Sequence, residues 1–157
     1  MNLLTEYPFL KKSQTLNKMD TFYLQIYTIF GAHMKKIGTL LNIFQKYNNS
    51  PFYRWHWTHD GGSINFQIQC NGLIHGNETG SLPAIVQIIE EFETKKRTFG
   101  GKISIILGNP EATILDQRFV EKDLNRLFLK QNDSSHEGKR ARTLMPILAE
   151  ADLLIDL

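Results

Sequence analysis

The strongest constraint on the fold lies in two runs of apolar β-formers, KISIILGNP at residues 102–110 and ADLLIDL at 151–157. Each reads as a strand buried on both faces, and such strands belong to parallel sheets covered by helices. A helical pattern stands before each run. Leu82, Ile85, Val86, Ile89 and Phe92 recur in steps of three and four before the first. Before the second, Ser134 and Glu137 have capping-box spacing and predict a helix from there to about Glu150. Upstream, INFQIQ at 64–69 alternates like a strand. Strand, helix, strand, helix, strand predicts an α/β fold with a mostly parallel sheet and flanking helices.

The N-terminal third is organised differently. Residues 1–20 have no sustained period and read as a loose lead-in. From Tyr23 the apolar positions Tyr23, Ile26, Tyr27, Phe30, Met34, Ile37, Leu41 and Phe44 predict an amphipathic helix. Gly31 and Gly38 each weaken it by about 1 kcal/mol relative to alanine, so a break is expected near either. Lys35, Lys36 and Lys46 fall on its other side. That pattern suits a membrane surface or, more simply, packing on the chain's own domain. YNNSP at 47–51 stops the helix, giving a division into 1–50 and 51–157. Next, the extended segment 52–58, HDGGS at 59–63 and the alternating INFQIQ predict a hairpin turning on Asp-Gly. His56 and His59 flank that turn and read as surface histidines.

Composition narrows the function. The 157 residues are 41% hydrophobic and 22% charged, which suits a folded domain. A net charge of +2 with scattered cations does not make a nucleic-acid footprint. Cys70 is the sole cysteine, so an intrachain disulfide and a thiolate cluster are excluded, and a metal site must use histidine and carboxylate. No apolar run approaches the ~20 residues that span a bilayer, and the N-terminus shows no secretory signal. The expectation is a cytoplasmic protein without membrane or nucleic-acid partners.

Two clusters carry candidate chemistry. In GLIHGNETG, residues 72–80, His75 and Glu78 stand three apart around Gly76. They could share a zinc ion if the backbone turns there, or they could form a polar turn before the helix. In RFVEKDLNRLF, residues 118–128, Arg118, Asn125 and Arg126 lie among hydrophobic anchors. They suit carboxylate recognition, though Arg118 and Arg126 could equally pair with Glu121 and Asp123 at the surface. GNP at 108–110 reads as a structural turn.

The order HGNETG, ILGNPEA, RFVEKDLNRLF, HEGKRARTLMPIL, ADLLIDL resembles the N-terminal catalytic part of the succinylglutamate desuccinylase/aspartoacylase family, over about residues 64–157. That family comprises zinc amidohydrolases with a carboxypeptidase-type α/β fold, and the resemblance implies a partial domain of that kind at 51–157. It implies His75 and Glu78 as zinc ligands and Arg118 as the group that polarises the scissile carbonyl. Asn125 and Arg126 would grip the substrate carboxylate, and His136 would start a helix without ligating metal. In the family a histidine follows the strand matching ADLLIDL at once as third ligand, so that ligand is expected just beyond Leu157.

The resemblance therefore implies zinc-dependent hydrolysis of the amide bond of small N-acyl amino acids. The general-base glutamate and the C-terminal β-rich domain of the family lie outside the matched stretch. The alternative is a non-catalytic fragment that retains a carboxylate-binding pocket. Self-association is also expected, through a sheet edge left unpaired at the last strand.

Overall fold

The computed structural model describes residues 18–157 apart from Phe52 and Gln131, with side chains from residue 31 onward. Of the lead-in expected at residues 1–20, residues 1–17 lie outside the described residues, as do the side chains of Tyr23, Ile26, Tyr27 and Phe30, and residues 18–20 already belong to a helix. The chain divides into two compact units, Met1–Lys35 and Lys36–Leu157.

Helix α1 spans Lys18–Tyr47 and runs without interruption through Gly31 and Gly38. Among the described residues nothing outside the helix's own backbone comes within 4 Å of where a side chain at either glycine would begin, so neither glycine is there to admit a close neighbour. In the second unit, Ile37, Leu41 and Phe44 are buried at the spacing read from the sequence. Phe44 packs on Trp55 with ring centroids 6.3 Å apart.

The remaining elements of the second unit are β1 (His56–Asp60), β2 (Gln67–Gly72), α2 (Leu82–Glu93), β3 (Lys102–Leu107), α3 (Pro110–Ile114), α4 (His136–Leu148) and β4 (Leu153–Asp156). The sheet order is β1-β3-β2-β4, with β2 parallel to both β3 and β4 and β1 antiparallel to β3. This is the expected α/β sheet with an antiparallel edge. Helix α2 buries the five residues that its period picks out, Leu82, Ile85, Val86, Ile89 and Phe92.

The expected hairpin does not form, because β3 lies between β1 and β2. The glycines of HDGGS have another task. Gly61 donates its N–H to Gly101 O at 3.0 Å, and a Cβ on Gly61 would collide with the Phe99 carbonyl and the Gly100 backbone. Two stretches of backbone approach where only glycine fits, and Gly62, at φ 67°, turns the chain away. The Asp-Gly signal was real but marked a crossover.

The alternation in β2 also has a different meaning. Trp57, Ile68, Cys70, Ile103 and Ile105 lie on the face toward α2, with the Trp57 ring 5.7 Å from that of Phe92. The opposite face, toward α4, presents His56, Gln67, Gln69, Asn71 and Ser104. Gln69 is 0% exposed and Ser104 1%, so this polar face is covered by protein. His56 is consequently a buried residue and not the expected surface histidine. Its Nε2 lies 2.7 Å from Ser104 Oγ.

Two ends differ as well. Helix α4 is capped by Ser135, whose Oγ accepts from Gly138 N at 3.1 Å, one residue later than the capping-box spacing suggested. Glu137 does not close that box, because its carboxylate is occupied elsewhere. Strand β4, expected to be buried, is exposed along its length: β2 pairs with one edge, and among the described residues nothing covers the other.

Candidate metal and substrate site

The site is built where β2 and β3 end side by side. Gly108 N donates to Gly72 O and Asn109 N to Leu73 O, both at 2.7 Å, so the two exits stay paired beyond the sheet. Clefts beyond the carboxyl ends of parallel strands are the usual ligand positions in open α/β sheets. Leu73 then adopts φ 56°, a left-handed conformation costing roughly 1–2 kcal/mol for a residue with a Cβ. Complete burial of its side chain holds it there, and the turn points the chain into HGNE. A Cβ on Gly76 would strike the backbone at Ala112, Thr113 and Gln117. Glycine thus lets this loop lie against α3, with Gly76 N donating to Arg118 O at 3.0 Å. On the other side Asp116 is also left-handed, at φ 51°, two residues before Arg118. Each of the two turns that deliver site residues carries a strained non-glycine residue.

His75 is at the centre and is 6% exposed. Its Nδ1 lies 2.9 Å from Glu78 Oε2, and its Nε2 lies 3.1 Å from Asp123 Oδ1. Arg118 approaches from the side, with one guanidinium nitrogen 3.0 Å from His75 Nε2 and 3.6 Å from Asp123 Oδ2, and the other 3.5 Å from Glu78 Oε1. A guanidinium only donates and a carboxylate only accepts. Nε2 cannot accept from Arg118 and donate to Asp123 at once. We place a proton on Nε2, donated to Asp123, and read the Arg118 approach as ion pairing with Glu78 and Asp123.

Asp123 is the residue that sequence reasoning under-read, treating it as one of two surface partners for the arginines. Its side chain accepts from Asn125 N at 3.1 Å and caps the short turn Leu124–Arg126. Arg126 Nε is 3.7 Å away. Partial burial pushes the Asp123 carboxyl up. The hydrogen bond and charge of His75, the Asn125 N–H and the Arg118 charge outweigh that and hold it below the usual carboxylate range. The available signal was its place two residues before Asn125, where an aspartate commonly turns back onto the backbone.

Of the five residues singled out by sequence, the structure brings His75, Glu78 and Arg118 into mutual contact, with Arg126 one ion pair away through Asp123. Asn125 stands apart. It borders an open cavity of about 390 Å³ whose wall includes Ile74, Phe128, Met145 and Leu154. His136 begins α4, with its Nε2 3.9 Å from Glu111, and takes no part in the cluster.

The donor set suits a cation. A cation placed between His75 Nδ1 and Glu78 would meet an imidazole nitrogen and a carboxylate, with the other ring nitrogen held by Asp123. A metal-ligating imidazole whose other N–H is held by a carboxylate is the common arrangement in zinc sites. His75 Nδ1 and Glu78 are therefore two donors of the right chemistry, and Asp123 lies on the far side of the ring. Among the described residues no group of three His, Cys, Asp or Glu side chains could hold a metal by itself.

Fold and site together define a partial α/β domain with a histidine–carboxylate pair at the carboxyl ends of parallel strands. Residues 67–157 match the model of the succinylglutamate desuccinylase/aspartoacylase catalytic domain, and the chain belongs to that family. It is 36% identical over 102 residues to a succinylglutamate desuccinylase of Pseudomonas paraeruginosa, a match covering 58% of this chain and 31% of that one. A Yersinia enterocolitica succinylglutamate desuccinylase is 27% identical over 101 residues, covering 58% of this chain and 31% of that protein. The crystal structure of the Vibrio parahaemolyticus enzyme of that name aligns at a TM-score of 0.55 and 26% identity, covering 66% of this chain and 39% of that one. The Chromobacterium violaceum structure has a TM-score of 0.59 at 18% identity, over 66% and 37%, and supports the fold alone. The chain thus spans about a third of the length of these relatives. No helix among the described residues is long and apolar enough to cross a membrane.

Proposed function

We propose that this chain carries the metal-binding and carbonyl-polarising part of a zinc-dependent hydrolase acting on the amide bond of N-acyl amino acids. The observation that carries the reading is the convergence of His75 Nδ1 and Glu78 at 2.9 Å beneath the Arg118 guanidinium. His75 and Glu78 would hold the ion. The resemblance implies a third ligand just beyond Leu157, after the strand that pairs with β2. When bound, zinc would supply Lewis acidity for the attack of water on the amide.

The chain's own residues would do the rest. Asp123 would hold the proton on His75 Nε2, leaving Nδ1 for the ion. Arg118 offers a fixed positive charge where negative charge develops on the carbonyl oxygen, which is most effective when it needs no reorganisation during reaction. Arg126 and Asn125 would grip the substrate carboxylate, Asn125 standing at the border of the cavity. The products would be a carboxylate and a free amine. Domains at 1–50 and 51–157, with the second forming part of the catalytic domain, complete this reading.

A second reading has one observation in its favour. Arg118 already pairs with Glu78 and Asp123, and both carboxylates contact His75, so the cluster is held together without a metal. Elemental analysis together with hydrolysis of N-succinyl and N-acetyl amino acids, with and without zinc, separates the two. Stoichiometric zinc with turnover supports the hydrolase. Carboxylate binding without zinc uptake or turnover supports the module.

A further inference from the structure

Glu137 is 0% exposed, and among the described residues no cationic side chain hydrogen-bonds to it. Its carboxylate accepts four hydrogen bonds, two on each oxygen. Oε1 takes Asn109 Nδ2 at 2.9 Å and Val120 N at 2.6 Å; Oε2 takes Glu121 N at 3.1 Å and Lys122 N at 3.0 Å. Three consecutive backbone N–H groups and one amide thus surround a buried anion, the kind of nest that stabilises negative charge by dipoles alone. Burial pushes this carboxyl up, and the four donors outweigh burial and hold it below the usual range.

A buried charge without a counterion is costly unless its hydrogen bonds are complete. Here they are complete, and they are spent on one short segment. Val120–Lys122 is the stretch between Arg118 and Asp123, the two residues that meet His75 from outside its own loop. The segment is laced in the other direction too, since Glu121 Oε2 accepts from His136 N at the start of α4 at 2.7 Å. Asn109, the fourth donor, caps α3, against which the HGNE loop lies. One carboxylate therefore ties together the GNP turn, the arginine-bearing segment and α4.

We propose that Glu137 is a positioning residue of this site, holding the Val120–Lys122 backbone so that Arg118 and Asp123 are both presented to His75. The proposal rests on the reading of His75 and Glu78 as metal ligands. Glu137→Gln tests it, because a carboxamide keeps one acceptor oxygen and turns an NH₂ toward N–H donors.

On the isotope-labelled full chain, Glu137→Gln is expected to shift the Val120, Glu121 and Lys122 amide resonances and cut their exchange protection at least tenfold, while the α2 amides are unchanged. The ¹⁵Nε2 resonance of the His75 ring, which reports the Asp123 bond, should move as well. The Kd for Zn²⁺ by calorimetry should weaken by about tenfold, the scale of outer-shell effects at metal sites. Moved amides with an unmoved His75 ring and a Zn²⁺ affinity within twofold would make Glu137 merely structural and overturn the proposal. Should the variant not fold, Glu137→Asp decides, because it keeps the charge but withdraws the carboxylate from the Val120–Lys122 N–H groups. The same amide, ring and Zn²⁺ changes are expected in that variant, and moved amides with an unmoved His75 ring and unchanged Zn²⁺ affinity contradict the proposal. A wild-type chain without Zn²⁺ uptake would count against the metal reading alone, because the amide and ring resonances still judge Glu137.

Discussion

His75 and Asp123 stand 48 residues apart in the chain, and the imidazole Nε2 lies 3.1 Å from the carboxylate. The contact fixes which ring nitrogen is free to face Glu78. Aspartate is turned into place by its own backbone, through Asn125 N, so its orientation does not depend on a metal. Replacing Asp123 with asparagine keeps the shape but lets the ring rotate or change tautomer. We expect Asp123→Asn to weaken Zn²⁺ binding by roughly 10- to 100-fold without loss of fold, measured by calorimetry. Affinity within twofold of wild type would remove Asp123 from this role.

Arg118 is half exposed, so its ion pairs contribute little to stability. In the proposed mechanism, its place beside both Glu78 and His75 would meet the charge developing on a bound carbonyl. In an active form of the protein, Arg118→Ala is expected to lower kcat by on the order of a hundredfold or more, with thermal stability nearly unchanged. A loss below about threefold would exclude the role.

His56 gives a pH dependence unrelated to the site. Burial, reinforced by the Lys102 charge, pushes its imidazole down to about 4. In the unfolded chain it titrates near 6.5. Between these values the unfolded state takes up a proton that the folded state refuses. Stability from this residue is therefore full above about pH 6.5 and is lost as pH falls toward 4, by a few kcal/mol at most, at roughly 1.4 kcal/mol per unit. Denaturant midpoints of wild type and His56→Gln should converge across that window on acidification. Parallel curves would contradict the assignment.

Strand β4 exposes Leu153, Leu154 and Ile155 beside an edge that nothing among the described residues pairs. Unpaired apolar edges template association. Light scattering should show the chain self-associating as concentration rises, and Leu153→Lys should shift it toward monomer. A monodisperse wild-type monomer at high concentration would refute this.

What the sequence disclosed depended on whether the signal was local. The buried stripe of α2 follows from helical period alone, and Leu82, Ile85, Val86, Ile89 and Phe92 are all inside. Pairing was less legible. HDGGS has the composition of a hairpin turn, yet its glycines serve a close approach to Gly100 and Gly101, residues about forty positions away. Alternation in β2 separated its two faces but could not say that the polar one lies beneath α4. His75 and Glu78 were visible as neighbours in one loop. Asp123 and Glu137 were not, because each acts through a partner distant in sequence, and an acidic residue among charged neighbours ordinarily reads as surface.

The most direct test of the account is a titration of the metal-free chain with Zn²⁺, alongside His75→Ala. Saturable uptake of one ion per wild-type chain is expected, lost in the variant while the fold persists. Absence of saturable uptake in the wild type, or equal uptake by both chains, would contradict it.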